Sequence, residues 1–404
     1  MNKPQRFHPA DRMAALPPYF FHKLNEKIAR LITAGVDVIR MDMGSPDLPP
    51  APFVVQALKR SAEDPTHHGY MPTGGTLAYR EAWAHFYGAR FGVELDAQKE
   101  IVGLLGSKDG VFHLALAIVN PGDVALVPDP GYAPYTTGAR LAGGEVIYMP
   151  LLAENRFLPD LRRLTPDILR RTKLMWLNYP NNPTGAVAPP EFFGQVVQLA
   201  QAHGFLVAHD APYTEITYDA YRAPSILQIP GAKDVCVEFN TLSKTYNMGG
   251  WRVGVACGNA EAVWALGALK SNIDSGFFQP VLDAAIAALT GEQAWLIERN
   301  ETYRERRDIV VAALRQAGMQ VNPPPAAIYV WARLPDRMMD ESPEAQRSGD
   351  EAYAEQLLEE TGVSVTPGSV FGPSGRGYIR ISLGTPTDRV KEAMARVARW
   401  RGEQ

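Results

Sequence analysis

Short apolar runs alternating with longer amphipathic stretches are the feature that most limits the fold of this chain. Runs at residues 123–127, 145–149, 173–177, 205–208, 235–239 and 253–257 are bounded by Pro, Gly or Asp. Runs of that length suit strands buried on both faces. Between two of them, residues 189–203 set Phe192, Phe193, Val196, Val197, Leu199 and Ala200 at helical spacing. The alternation predicts an α/β domain around a mostly parallel sheet, with ligands gathering at the carboxyl ends of its strands. From about Gly291 the texture changes to a helical pattern reaching Ala317, then Pro323-Pro324-Pro325, a strand over 327–333, a polar loop over 336–350 and a further helix. This predicts a smaller α+β domain, with which a helix over 16–35 is expected to pack. The expected division is an N-terminal arm at 1–45, a large domain at 46–290 and a small domain at 291–404.

Composition excludes several classes. A formal net charge of −4 and the lack of a basic run give no basis for a nucleic-acid partner. Residues 298–308 alternate in sign and read as a solvated helix face. Cys236 and Cys257 both sit in apolar runs without CxxC spacing, so buried thiols are expected rather than a metal or disulfide site. No apolar stretch approaches the ~20 residues that span a bilayer, and residues 1–11 lack a signal peptide's apolar segment. A cytoplasmic protein is the expectation.

Six segments carry chemistry. The first is Thr241-Leu242-Ser243-Lys244-Thr245-Tyr246-Asn247-Met248-Gly249-Gly250-Trp251-Arg252. A lone lysine after a strand is ordinarily a surface lysine. Here it stands between hydroxyl residues, with an arginine eight positions on. A nearby cation lowers an amine's pKa and makes it a nucleophile, while hydroxyls and an arginine supply donors for a phosphate monoester. Asn178-Tyr179-Pro180-Asn181-Asn182-Pro183-Thr184-Gly185 has the composition of a turn, yet it puts Asn182 at a strand's carboxyl end. In His209-Asp210-Ala211-Pro212-Tyr213 the aspartate either caps a turn or hydrogen-bonds a protonated ring nitrogen. His209, His67 and His68 lack metal-ligand spacing and are assigned structural or solvent roles.

Gly106-Ser107-Lys108-Asp109-Gly110 precedes an apolar pattern and reads either as a simple N-cap or as an anion site at a helix N-terminus. No GxGxxG or GxxxxGK[ST] motif competes for that role. Pro130-Gly131-Tyr132 offers a ring that can stack on a flat heterocycle. Tyr378-Ile379-Arg380-Ile381-Ser382 sets an arginine among apolar neighbours, costly to bury unless it meets an anion. A carboxylate fits, since arginine binds it bidentately.

In this order and spacing the six segments resemble the class I/II aminotransferases, fold type I pyridoxal-phosphate enzymes, over nearly the whole chain. The resemblance implies a large domain with a mostly parallel seven-stranded sheet plus a smaller α+β domain, and pyridoxal 5'-phosphate as cofactor. Lys244 would bond the cofactor and then move the amino acid's α-proton. Asp210 would keep the ring nitrogen protonated, and Asn182 and Tyr213 would hydrogen-bond the phenolic oxygen. Tyr132 would stack on the ring. Ser107, Lys108, Thr241, Ser243 and Arg252 would hold the phosphate, with Tyr70 reaching in from a second copy in a homodimer of shared active sites. Taken alone, Tyr70 is equally a turn tyrosine before Met71-Pro72. Arg380 would clamp the substrate carboxylate with help from the Gly44 backbone, and Tyr19 and Asn182 would line the substrate side.

Within the family, residues 106–110, 127–132, 243–248 and 271–276 are similar to the branch that acts on LL-diaminopimelate. The expected reaction is ping-pong transfer between an amino acid and a 2-oxo acid, with LL-diaminopimelate and 2-oxoglutarate as the first pair. Gly249 stands where threonine is usual and Asp109 where glutamate is common, which leaves alanine, aspartate, glutamate and aromatic amino acids open. A carbon–sulfur β-lyase would use the same Lys244 and Asp210. The aminotransferase-like half of a transcription regulator would need an added DNA-binding domain, and a nicotinamide dehydrogenase would need the missing glycine fingerprint.

Overall fold

The structure, a computed structural model, describes residues 7–13, 16, 20–336 and 348–402. The chain divides into two compact units, Met1–Val38 and Ile39–Gln404. In the first, the helix Phe20–Thr33 falls inside the expected 16–35 stretch and buries Ile28.

Among the described residues, the second unit holds three sheets. Its strands, in chain order, begin with β1 (Ile39–Arg40), β2 (Ile101–Leu104), β3 (Val124–Asp129), β4 (Glu145–Pro150) and β5 (Thr172–Asn178). Then come β6 (Leu206–Asp210), β7 (Cys236–Thr241), β8 (Gly254–Gly258), β9 (Gln320–Val321) and β10 (Tyr329–Arg333). The last are β11 (Val363–Ser364), β12 (Thr366–Pro367) and β13 (Tyr378–Ser382). The seven-stranded sheet runs β2-β8-β7-β6-β5-β3-β4. It is parallel from β7 to β4, and β8 runs antiparallel to both its neighbours. All six apolar runs therefore became strands; β2 adds the seventh at the edge.

Both faces of this sheet are covered, as parallel strands require. Leu126, Met175, Leu177, Val207 and Val255 join one buried cluster, and their alternates Ala125, Val127, Leu174, Trp176, Ala208 and Ala256 join another. Helix Pro190–His203 buries Phe192, Phe193, Val196, Val197 and Ala200, while Leu199, expected in the core, is only partly buried. Cys236 and Cys257 are buried free thiols.

A four-stranded antiparallel sheet, β12-β13-β10-β9, anchors a third cluster. The expected strand at 327–333 is β10, and the expected loop at 336–350 falls largely outside the described residues.

One expectation holds only in part: Glu298, Glu301, Glu305 and Asp308 form an exposed helix face, but three of the arginines beside them do not belong to it. Residues 298–308 lie in the helix Trp295–Gln316, and Arg299, Arg306 and Arg307 are buried there. Charge alternation identified the segment as polar, but each guanidinium has a fixed acceptor that offsets desolvation. Arg306 meets Asp47 through two bonds of 2.7 and 3.0 Å, and Arg307 meets Asp219 at 2.5 Å. Arg299 donates to the carbonyls of Glu215 and Thr245. Among the described residues, no helix is long and apolar enough to cross a membrane.

Candidate active site

The chemistry-bearing residues meet at the carboxyl ends of β5, β6 and β7. Thr241 ends β7 and caps the short helix Leu242–Thr245, which carries Lys244. The Lys244 amine donates to the carbonyl of Gly44. Arg299 donates to the carbonyls of Lys244 and Thr245, holding this turn in place. Burial lowers the amine's pKa, Arg380 and Arg252 act in the same direction, and Tyr329 and Asp210 oppose them.

Asp210 ends β6 and is 4% exposed. Its Oδ2 accepts from the Tyr135 hydroxyl at 2.7 Å, while its buried Oδ1 has no partner. Burial is the main cause that pushes this carboxyl up to about 6, against Tyr135, His209 and Lys244. Behind it, His209 is a structural histidine bridging Glu238 at 2.9 Å and the Tyr179 carbonyl at 3.0 Å. Asn178 at the end of β5 donates to the Asp210 carbonyl and accepts from the Asn182 N–H, both at 2.7 Å. That pair of bonds turns the Asn-Pro segment toward the site.

Arg380 on β13 is 3% exposed. It donates to the Asn182 Oδ1 at 2.9 Å and to the Asp42 carbonyl at 2.8 Å, and its Nε has no partner. No carboxylate among the described residues pairs with it. A buried guanidinium with a spare donor is costly unless an anion completes it.

The expected phosphate anchors also converge. Gly106, at φ +80°, precedes the helix Ser107–Ile118, and a Cβ there would run into the Arg252 guanidinium. Arg252 donates to the carbonyls of Gly249 and Leu105 at 2.8 and 3.2 Å. Thr241 Oγ1 lies 3.0 Å from Ser243 Oγ. Ser107 sits in the first turn with Lys108, whose side chain is exposed. Tyr132 stands just before the helix Ala133–Leu141 and packs edge-on against Tyr135, centroids 5.7 Å apart.

One expected residue, Tyr70, is not brought in. Tyr70 is 91% exposed and makes no side-chain hydrogen bond among the described residues. Tyr19 lies outside the described residues. Sequence reading also missed two tyrosines: Tyr135, on Asp210, and Tyr329, whose hydroxyl is 2.7 Å from that of Tyr213. Tyr135 was signalled only by standing one helical turn beyond Tyr132; Tyr329 carried no local signal.

The residues fit a pyridine ring with a phosphate arm. The orphaned Asp210 Oδ1 matches a protonated ring nitrogen, and the glycine-backed Arg252 beside a helix N-terminus matches a dianion.

The family pattern for aminotransferases of class I and II matches residues 36–397. A LL-diaminopimelate aminotransferase of Moorella thermoacetica is 49% identical over 394 residues, 98% of each chain. One of Desulforudis audaxviator is 50% identical over 393 residues, 97% of each. Among solved structures, the apo form of BacF from Bacillus subtilis superposes with a TM-score of 0.92 at 34% identity, covering 98% of this chain and 99% of that one. By its architecture, its family pattern and these relatives, the chain is a fold type I aminotransferase and belongs to aminotransferase class I and II.

Proposed function

We propose that the chain binds pyridoxal 5'-phosphate and moves an amino group between LL-diaminopimelate and 2-oxoglutarate. The observation that carries this reading is the buried Arg380, which has no carboxylate partner among the described residues and whose charge acts on the Lys244 amine together with that of Asp210, whose buried Oδ1 has no partner among them either. The substrate pair rests on relatives near 50% identity that carry that name.

When bound, the cofactor supplies an electron sink next to the amino acid's α-carbon. Asp210 Oδ1 would hold a proton at the ring nitrogen. Asn182 and Tyr213 would hydrogen-bond the phenolic oxygen, and Tyr132 would stack on the ring. Ser107, Lys108, Thr241, Ser243 and Arg252 would hold the phosphate. Arg380 binds the substrate α-carboxylate with the Gly44 backbone beside it, which orients the Cα–H bond toward Lys244. Lys244 Nζ then accepts that proton as general base and returns it as general acid.

The exposure of Tyr70 supports its donation to a second copy, so we propose a homodimer with shared sites, in the cytoplasm. We also retain 46–290 and 291–404 as the large and small domains.

The test is an absorbance spectrum of the protein loaded with pyridoxal phosphate, before and after LL-diaminopimelate. Conversion of the visible band to the amine form, reversed by 2-oxoglutarate, is the expected result. A band that answers only to other amino acids would overturn the substrate. Thiol release from cystathionine in place of amino transfer would overturn the reaction.

A further inference from the structure

We propose that Tyr329 is a positioning residue whose hydroxyl donates to Tyr213 and thereby frees the Tyr213 proton for the site. This rests on the reading of the pocket given above.

The two phenolic oxygens are 2.7 Å apart and both residues are buried. Neither hydroxyl has another partner among the described residues. Two phenols carry two hydroxyl hydrogens, and one is used between them. One hydrogen is therefore left to be directed elsewhere, and the question is whose.

Cation placement decides it. The Arg380 guanidinium carbon lies 4.4 Å from the centroid of the Tyr329 ring, whereas Lys244 Nζ stands 6.0 Å from that of Tyr213. A cation close over a phenol ring stabilises the negative charge that builds up there when its hydroxyl donates, which makes that hydroxyl the better donor. Tyr329 then donates, and Tyr213 accepts while keeping its own hydrogen. Tyr213 stays protonated, because burial is the largest cause acting on its hydroxyl and raises its pKa. The charged groups facing the pair are thus Arg380 from β13, Asp210 from β6 and Lys244 from the helix after β7.

The backbone accommodates this arrangement. Trp331 pairs with Arg380 across β10 and β13, so Tyr329 stands diagonal to Arg380 on the same face. A Cβ on Gly44 would fall 2.5 Å from the Tyr329 hydroxyl oxygen. Position 44 is therefore restricted by Tyr329, and one tyrosine links the carboxylate clamp to the Tyr213 side of the pocket.

The experiment compares Tyr329→Phe, Tyr329→Leu and the unaltered protein, each loaded with pyridoxal phosphate. It reads the pH titration of the bound cofactor's absorbance, kcat, KM and the melting temperature of the cofactor-free form. Tyr329→Phe should shift the titration midpoint and lower kcat about five- to tenfold, the loss of one orienting hydrogen bond. Its KM for the amino acid should hold, because a ring still lies under Arg380. Tyr329→Leu should raise KM as well. An unchanged titration and kcat in a folded Tyr329→Phe protein overturns the proposal alone, as does a rise in KM without a spectral change. No visible band in the unaltered protein overturns the functional reading and this proposal with it.

Discussion

The Arg252 guanidinium occupies the space that a side chain at Gly106 would fill. Gly106 is held at φ +80°, so alanine there is opposed twice, by its backbone conformation and by the arginine. Gly106→Ala should push the Arg252 guanidinium aside and weaken pyridoxal phosphate binding by about tenfold or more, the equivalent of a lost charge-assisted hydrogen bond of roughly 1.5–3 kcal/mol. A fluorescence titration of the cofactor-free protein measures it, and an unchanged Kd would remove these two residues from the phosphate site.

Lys244→Ala should abolish turnover and the visible cofactor band. The fold should survive, since the side chain's recorded hydrogen bond is the one to Gly44, and the helix is held through its backbone by Arg299. Circular dichroism with a single-turnover assay would show both effects. Near-normal amino transfer by the variant would sink the proposed mechanism.

Arg380→Ala should raise KM for the amino acid by about 10- to 100-fold, the range of a lost charge-assisted hydrogen bond. The cofactor band should persist, because Arg380 contacts Asn182, Asp42 and Thr366 rather than the phosphate anchors. Loss of the band would show that Arg380 serves the cofactor instead.

Asp210 makes a pH prediction for the cofactor-free protein. Its carboxyl titrates near 3.8 in an unfolded chain and at about 6 when folded. Between those values the folded state keeps a proton that the unfolded state has lost, so stability falls as pH rises through that window. Asp210→Asn lacks this loss. Above pH 6 the cofactor-free variant should be the more stable of the two, by at most roughly 3 kcal/mol. Below pH 4 the difference should shrink. Urea midpoints measured from pH 4 to 8 give the comparison, and a constant offset across that range would refute it. The same variant should lose activity, since it gives up the carboxylate at the ring nitrogen.

Lys244, Asp210, Asn182 and Tyr132 were legible in the sequence because each follows an apolar run, and the ends of such runs are where a parallel sheet exposes backbone and side chains to a ligand. Arg252 was legible through its fixed spacing from Lys244, with Gly249 and Gly250 between them. Arg380 was legible as a cation on an apolar strand. These are local signals, carried by segments of a few residues.

Tertiary structure decided the partners. Tyr135 reaches Asp210 across 75 positions, and Tyr329 reaches Tyr213 across 116. Nothing in either neighbourhood announces such a contact, because a tyrosine on a strand or in a helix's first turn is ordinary core composition. The buried arginines at 299, 306 and 307 show the same limit from the other side. Charge alternation there described the helix as solvated, yet Asp47, Asp219 and the carbonyls of Glu215 and Thr245 supplied acceptors from distant segments. Periodicity and turn chemistry depend on adjacent residues, so the chain alone determines its strands, helices and strand-end motifs. Desolvation and hydrogen-bond completion depend on what packs nearby, so only the folded chain determines which of those polar groups are satisfied and which, like Asp210 Oδ1 and Arg380 Nε, have no partner among the described residues.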